Sequence, residues 1–267
     1  MQVLGEFSKS VDGSKSVNFD VSAGSNCDDS CRYHPRSTAD NAVGGCYAVM
    51  GESRADRRQL KEKLVRHGKT DPVTIVNAAI VEIGQLTEKR KILPWFRFST
   101  NGSVPKLSEL SERKKTAVLS AFRALVKTLS VNGCDRSRIH FPVETADKAR
   151  EYSELSDVVT IRESVQSVDH SYNPSWGCSF VVGEDIQDGK NITGRRVDAA
   201  KQFAKKRLES TGRKTIVCPA VTSGWQKRFS GRPDKILCGQ CTACANPNLD
   251  VVYPYHGPKL VLIGGKQ

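Results

Sequence analysis

Strand-like and helix-like segments alternate along most of the chain, and that alternation restricts the fold more than any other feature. "SVNFDVSA" (16–23) alternates apolar and polar residues and predicts a strand. Further strands are predicted at "WFRFS" (95–99), "RIHFPVE" (138–144), "VVTIRE" (158–163), "CSFVVG" (178–183) and "KTIVCPA" (214–220), with "KLVLIG" (259–264) as an extra one. Helices fall between them. Asp71-Pro72 supplies an N-cap and a proline at the first helical position, and Val73, Val76, Ile80 and Ile83 make the apolar face that follows. Val118, Ala121, Phe122, Leu125 and Leu129 recur at helical spacing up to Asn132-Gly133. "ADKAREYSEL" (146–155) predicts a short helix, and Val197, Ala200, Phe203, Ala204 and Leu208 mark a longer one.

Such alternation implies a parallel sheet with crossover helices. Six strand–helix units can close, or partly close, into a barrel, whereas the phosphate fingerprints of open nucleotide-binding sheets, G-x-G-x-x-G and G-x-x-x-x-G-K-S/T, are absent. The expected fold is therefore α/β: a partial (βα)6 TIM-like barrel with a cysteine-rich C-terminal segment. A chain of 267 residues, 38% hydrophobic, suits one such domain over 1–267, with 218–256 as the metal-binding segment. Barrel chemistry gathers at the C-terminal ends of the strands. There the sequence places Cys27, Cys31 and Cys46; Ser99, Thr100, Asn101 and Gly102; Glu144; Arg162 and Glu163; Glu184 and Asp185; and Cys218.

The opening "MQVLGEFSKS" has no apolar run after a basic start, and no stretch approaches the roughly 18 apolar residues of a spanning helix. A cytoplasmic protein with no membrane association is expected, and in that compartment nine cysteines point to metal or catalysis rather than disulfides. Cys134 and Cys178 stand alone and are expected to act as small buried hydrophobes. The other seven form two groups, Cys27, Cys31 and Cys46, and Cys218, Cys238, Cys241 and Cys244. The run Cys238-Gly-Gln-Cys241-Thr-Ala-Cys244 has the spacing that bacterial ferredoxins use, so a 4Fe-4S cluster leads there, with zinc as the other candidate. His256, in "YPYHG", is a candidate further ligand or an ordinary hydrogen-bonded residue.

Charge gives a second line of argument. Lysine and arginine number 41 against 29 acidic residues, a net charge of +12. Residues 54–69 carry seven basic residues against two acidic, and 195–214 carry eight against two. These segments read as solvated helix faces or as a field that attracts nucleic acid or a phosphorylated substrate. Aromatic residues at 7% offer little for base stacking.

Cys27-x3-Cys31 followed by Cys46-Tyr47-Ala48 after a first strand resembles the radical S-adenosylmethionine superfamily, whose partial (βα)6 barrel carries C-x3-C-x2-C in that loop; here fourteen residues precede Cys46. The chain also resembles a group of uncharacterised bacteriophage proteins. They share a cysteine loop ending in C-Y-A, a strand of the "FRFSTNG" type and a segment that here reads Cys218-Pro219, Cys238, Cys241, Cys244, Tyr253-Pro254 and His256. The first resemblance implies that Cys27, Cys31 and Cys46 hold a 4Fe-4S cluster with one open iron for S-adenosylmethionine. It implies, by strand position, that Ser99, Thr100, Asn101 and Gly102 contact the methionyl amino group. Glu144 and Arg162 would hold ribose and carboxylate, and Glu163 completes the candidate catalytic set.

Three function classes follow: a phage iron-sulfur enzyme of radical S-adenosylmethionine type modifying a nucleotide or nucleic acid; a metal-stabilised nucleic-acid-binding protein; and a non-catalytic protein that engages a host protein in the host cytoplasm.

Overall fold

The computed structural model describes residues 4–9, 15–19, 70–89, 96–98, 104–165, 169–171, 173, 176–186, 190–219, 221–222 and 241–255. Within them lie eight strands: β1 (Leu4–Lys9), β2 (Lys15–Phe19), β3 (Phe96–Phe98), β4 (Ile139–Val143), β5 (Thr160–Val165), β6 (Gly177–Val182), β7 (Thr215–Val217) and β8 (Asp250–Pro254). Four α-helices accompany them: α1 (Pro72–Lys89), α2 (Glu112–Val131), α3 (Ala146–Glu151) and α4 (Ile192–Thr211).

The strands form one sheet in the order β1-β2-β3-β4-β5-β6-β8-β7. β1 pairs antiparallel with β2, and every other pairing is parallel. The fold is thus α/β with a largely parallel sheet. Its edges, β1 and β7, are not paired with each other among the described residues. Two strands were not expected from the sequence. β1 lies in a segment of mixed polarity, and β8 is a three-residue apolar run between Asp250 and Pro254 that inserts between β6 and β7. That insertion breaks the sequential strand order a simple (βα)6 succession would give.

Local chemistry accounts for the helix ends. The Asp71 carboxylate accepts the Thr74 amide at 3.2 Å, capping α1 as expected. At the end of α2, Gly133 takes φ +87 and donates to Ser130 while Cys134 donates to Leu129, closing the last turn. Val118, Leu119, Ala121, Phe122, Leu125, Val126 and Leu129 of α2 are buried. They join Phe96, Phe98, Ile139, Phe141 and Ile161 of the sheet and Ile75, Val76, Ala79 and Ile83 of α1 in the larger core. Beside it, Ala200 and Ala204 of α4 pack on Val165, Cys178, Phe180 and Val252.

Alternation along the strands sorts every residue onto one of two faces. The parallel register aligns Phe141 with Ile161, Glu163 with Cys178, and Phe180 with Val252. These residues, with Phe96 and Phe98, form the helix-bearing face. The opposite face carries Arg97, His140, Arg162, Gly177, Ser179 and Tyr253. It is polar over β3 to β5 and turns apolar at Ile216 and Val251 toward the β7–β8 edge, and the helical turn Ala243–Ala245 packs over β4, β5 and β8 on that side.

α4 corrects the expectation of a uniformly basic face. Arg196 and Arg207 are buried, with Arg207 stacked over Phe180 at 5.2 Å and Arg196 over Tyr255 at 4.8 Å. Lys201, Lys205 and Lys206 remain exposed. The basic segment 54–69 and the candidate strand 259–264 lie outside the described residues. No described helix is long and apolar enough to cross a membrane.

Candidate metal centre

Three of the four C-terminal cysteines border one apolar cluster at the β7–β8 edge, though among the described residues their sulfurs do not form a ligating group. Cys218 follows β7 and donates its amide to Val252 of β8 at 2.8 Å, which puts it level with Tyr253 on the polar face. Cys218, Cys241 and Cys244 then share one apolar cluster with Ile216, Ala243, Leu249, Val251 and Tyr253. All three are free thiols. The Cys244 Sγ lies 2.8 Å from the Tyr253 hydroxyl. Burial, reinforced by charge on Cys244 and Cys218, holds that phenol well above its ordinary pKa. Burial also raises the Cys241 thiol.

Arg162 fixes this loop. The guanidinium is fully buried, and its five N–H donors reach five carbonyls: Nε to Cys244 at 2.9 Å, Nη1 to Cys178 at 2.8 Å and Leu249 at 2.9 Å, Nη2 to Ala243 at 3.3 Å and Asn246 at 2.8 Å. Thr160, on the same face of β5, donates to Ala245 at 2.6 Å. Gly177 makes room, because a Cβ there would sit 2.8 Å from both terminal nitrogens of Arg162. Nearby His140 is held well below its ordinary pKa by burial first, then by the charges of Arg97 and Arg162.

The residues expected to be catalytic do not share one site. Arg162 and Glu163 are consecutive in β5 and project to opposite faces. The resemblance assigned Arg162 to a cofactor carboxylate; here its donors are already engaged by the loop. Glu163 accepts Trp176 Nε1 at 2.9 Å through one oxygen and lies 3.3 Å from His170 Nε2 through the other. Glu144 pairs with Lys148 at 3.2 Å, and Lys148 is itself buried on α3. Glu184 is buried and Asp185 exposed at the end of β6. Cys134 is a buried core thiol, as expected. Cys27, Cys31, Cys46, Cys238, Ser99, Thr100, Asn101, Gly102 and His256 lie outside the described residues.

Sequence reasoning did not select His170 or Trp176, and it noted Tyr253 only within the Tyr253-Pro254 motif, with no role at the site. For Tyr253 a signal existed: once β8 is recognised, parity with Val251 puts the phenol on the polar face. The chain matches no protein-family model, no curated protein and no solved structure.

Proposed function

We propose that the chain is an iron-sulfur protein whose C-terminal thiols, Cys218, Cys241 and Cys244 with Cys238, hold a 4Fe-4S cluster. The carrying observation is Arg162. A buried cation is costly without an opposing charge, and among the described ion pairs Arg162 has no carboxylate partner; only carbonyls of the cysteine loop and of β6 meet it. A cluster held by four thiolates is anionic overall and would supply that opposing charge. Cysteine thiols are the ligand type such a cluster takes, and binding would have to draw the three sulfurs closer together, since among the described residues they do not form a ligating group. Zinc on the same thiolates is the second candidate. When bound, an iron-sulfur cluster supplies one-electron transfer. The protein's own part is to hold the loop in place through Arg162, to bury Cys218 and to half-bury Cys241, Cys244 and Tyr253.

The finer fold reading belongs to the same proposal. Among the described residues the α-helices pack on one face of the sheet, which supports a partial (βα)6, TIM-like barrel, since doubly wound sheets carry helices on both faces. On that barrel we place a phage enzyme of radical S-adenosylmethionine type acting on a nucleotide or nucleic acid, with Cys27, Cys31 and Cys46 holding the open-sited cluster. Arg162 has no free donor for the cofactor's carboxylate, so no role toward S-adenosylmethionine is assigned to it. The +12 charge supports a polyanionic substrate, and also the alternative of a metal-stabilised nucleic-acid-binding protein or a non-catalytic host-protein partner.

The test is anaerobic purification with iron, acid-labile sulfide and zinc analysis, followed by assay for 5′-deoxyadenosine under reducing conditions. Iron and sulfide in the parent, with loss of one cluster in Cys241→Ala, are expected. Stoichiometric zinc without sulfide would remove the iron-sulfur reading. Cluster without 5′-deoxyadenosine would leave the binding protein.

A further inference from the structure

We infer that Glu163, His170 and Cys178 form a binding site for one divalent ion of zinc type, on the helix-bearing face of the sheet and separate from the thiol cluster. One carboxylate oxygen, one imidazole nitrogen and one sulfur from these residues all lie within 4.8 Å of one another. Two of the three come from the register of the sheet itself. Glu163 and Cys178 are paired positions on the adjacent parallel strands β5 and β6, so their side chains stand side by side on one face. His170 comes from the connection between those strands.

The surroundings hold each donor in place. Trp176 Nε1 donates to Glu163 Oε2 at 2.9 Å, which leaves Oε1 turned toward His170 Nε2 at 3.3 Å. An ion entering between them replaces that contact. Arg207 donates to the His170 carbonyl and fixes the backbone from which the imidazole extends. The Cys178 amide donates to Asp250 Oδ1 at 3.0 Å. Asp250 in turn pairs with two of the surrounding cations, Arg207 at 3.1 Å and Arg213 at 3.5 Å, while the third, Arg162, projects to the opposite face and spends its donors on carbonyls, that of Cys178 included.

Donor chemistry selects the metal. One thiolate, one imidazole and one carboxylate make a borderline-soft set that suits zinc, and three protein ligands leave a fourth position for water. Glu163 and Cys178 are buried, whereas the His170 side chain is 31% exposed and opens the path from solvent. The alternative arrangement is a surface-edge Glu–His pair beside a thiol that serves only as core packing.

Zinc titration of the reduced, metal-stripped full-length chain under anaerobic conditions, in competition with a chromophoric chelator, separates the two. The variants are His170→Ala, Cys178→Ser, Trp176→Phe and Cys244→Ala. His170→Ala and Cys178→Ser should each bind one zinc fewer than the parent. Cys244→Ala should retain that ion whatever it does to the other thiols, so failure of the iron-sulfur reading leaves this result intact. Trp176→Phe removes only the hydrogen bond that orients Glu163 and should weaken the site by roughly 10- to 100-fold without changing its stoichiometry. If Cys178→Ser does not fold, His170→Ala decides alone, because its side chain is partly exposed. Unchanged zinc stoichiometry and affinity in His170→Ala overturns the site.

Discussion

Arg162 and Glu163 are adjacent in sequence and face opposite sides of the sheet, Arg162 toward the cysteine loop and Glu163 toward Trp176 and His170. One strand therefore serves two separate places. The first is a backbone clamp and the second the Glu163–His170–Cys178 group proposed to take a metal, and substitutions at the two positions should have unrelated consequences.

Gly177→Ala should destabilise the protein by about 1–3 kcal/mol, the usual range for overfilling a packed interior. The added methyl would have to displace the Arg162 guanidinium, which then loses its carbonyl partners on the cysteine loop. Urea unfolding measures the loss. Metal content of the C-terminal thiols should fall in the same variant; unchanged stability and metal content would show that the clamp is dispensable.

Asp250 is fully buried between Arg207 and Arg213. Removing one member of a buried pair strands its partner's charge, so Asp250→Asn, which takes the shared carboxylate from both arginines, should cost about 3–5 kcal/mol. Thermal and urea unfolding are the measurements. A change under 1 kcal/mol, about that of an exposed pair, would mean water reaches Asp250.

The Cys134 thiol is pushed from 9.0 up to about 12, by burial first and then by Asp135. The unfolded chain ionises this thiol near its ordinary value, while the folded chain keeps it protonated. Stability from Cys134 is thus complete below about pH 8.5 and is lost as pH rises toward 12. Between pH 8 and 10 the advantage of the parent over Cys134→Ala should shrink by about 1.4 kcal/mol in all, because the unfolded thiol is only part-ionised there. Paired urea titrations between pH 8 and 10 test it, and parallel curves would refute it.

The basic residues of α4 should divide into two behaviours. Lys205→Glu, at an exposed position, should weaken nucleic-acid binding and flatten its salt dependence without lowering the melting temperature. Arg196→Glu should instead lower stability, because Arg196 holds the Ile186 and Tyr255 carbonyls from a buried position. Absence of salt-sensitive binding in the parent would remove nucleic acid as a partner.

These contrasts show where the sequence is legible. The amphipathic period found α1, α2 and α4, and apolar segments found β2 to β7, because burial writes those patterns directly. The grouping of Cys218, Cys241 and Cys244 was legible because tight thiol spacing has few other uses. Arg207 and Arg196 were misread as part of a charged surface: composition cannot tell a lysine in water from an arginine turned inward to carbonyls and a carboxylate. Glu163 was placed with Arg162 by proximity, though strand parity already separates them. Its partner Cys178 is set by cross-strand register, a relation between distant segments that no local pattern records.

The insertion of β8 between β6 and β7 has a consequence in time. Among the described residues β7 bonds to β8 alone, so until residues 250–254 have been synthesised β7 has no strand to join and β6 keeps one edge bare. The wait favours slow, nonlocal closure and exposes strand edges that invite association with other chains. The cysteine turn at 243–245 immediately precedes the strand that ends the wait. If the thiols hold a metal as proposed, its capture there would shorten the search for that closing strand, and metal supply would then set folding yield.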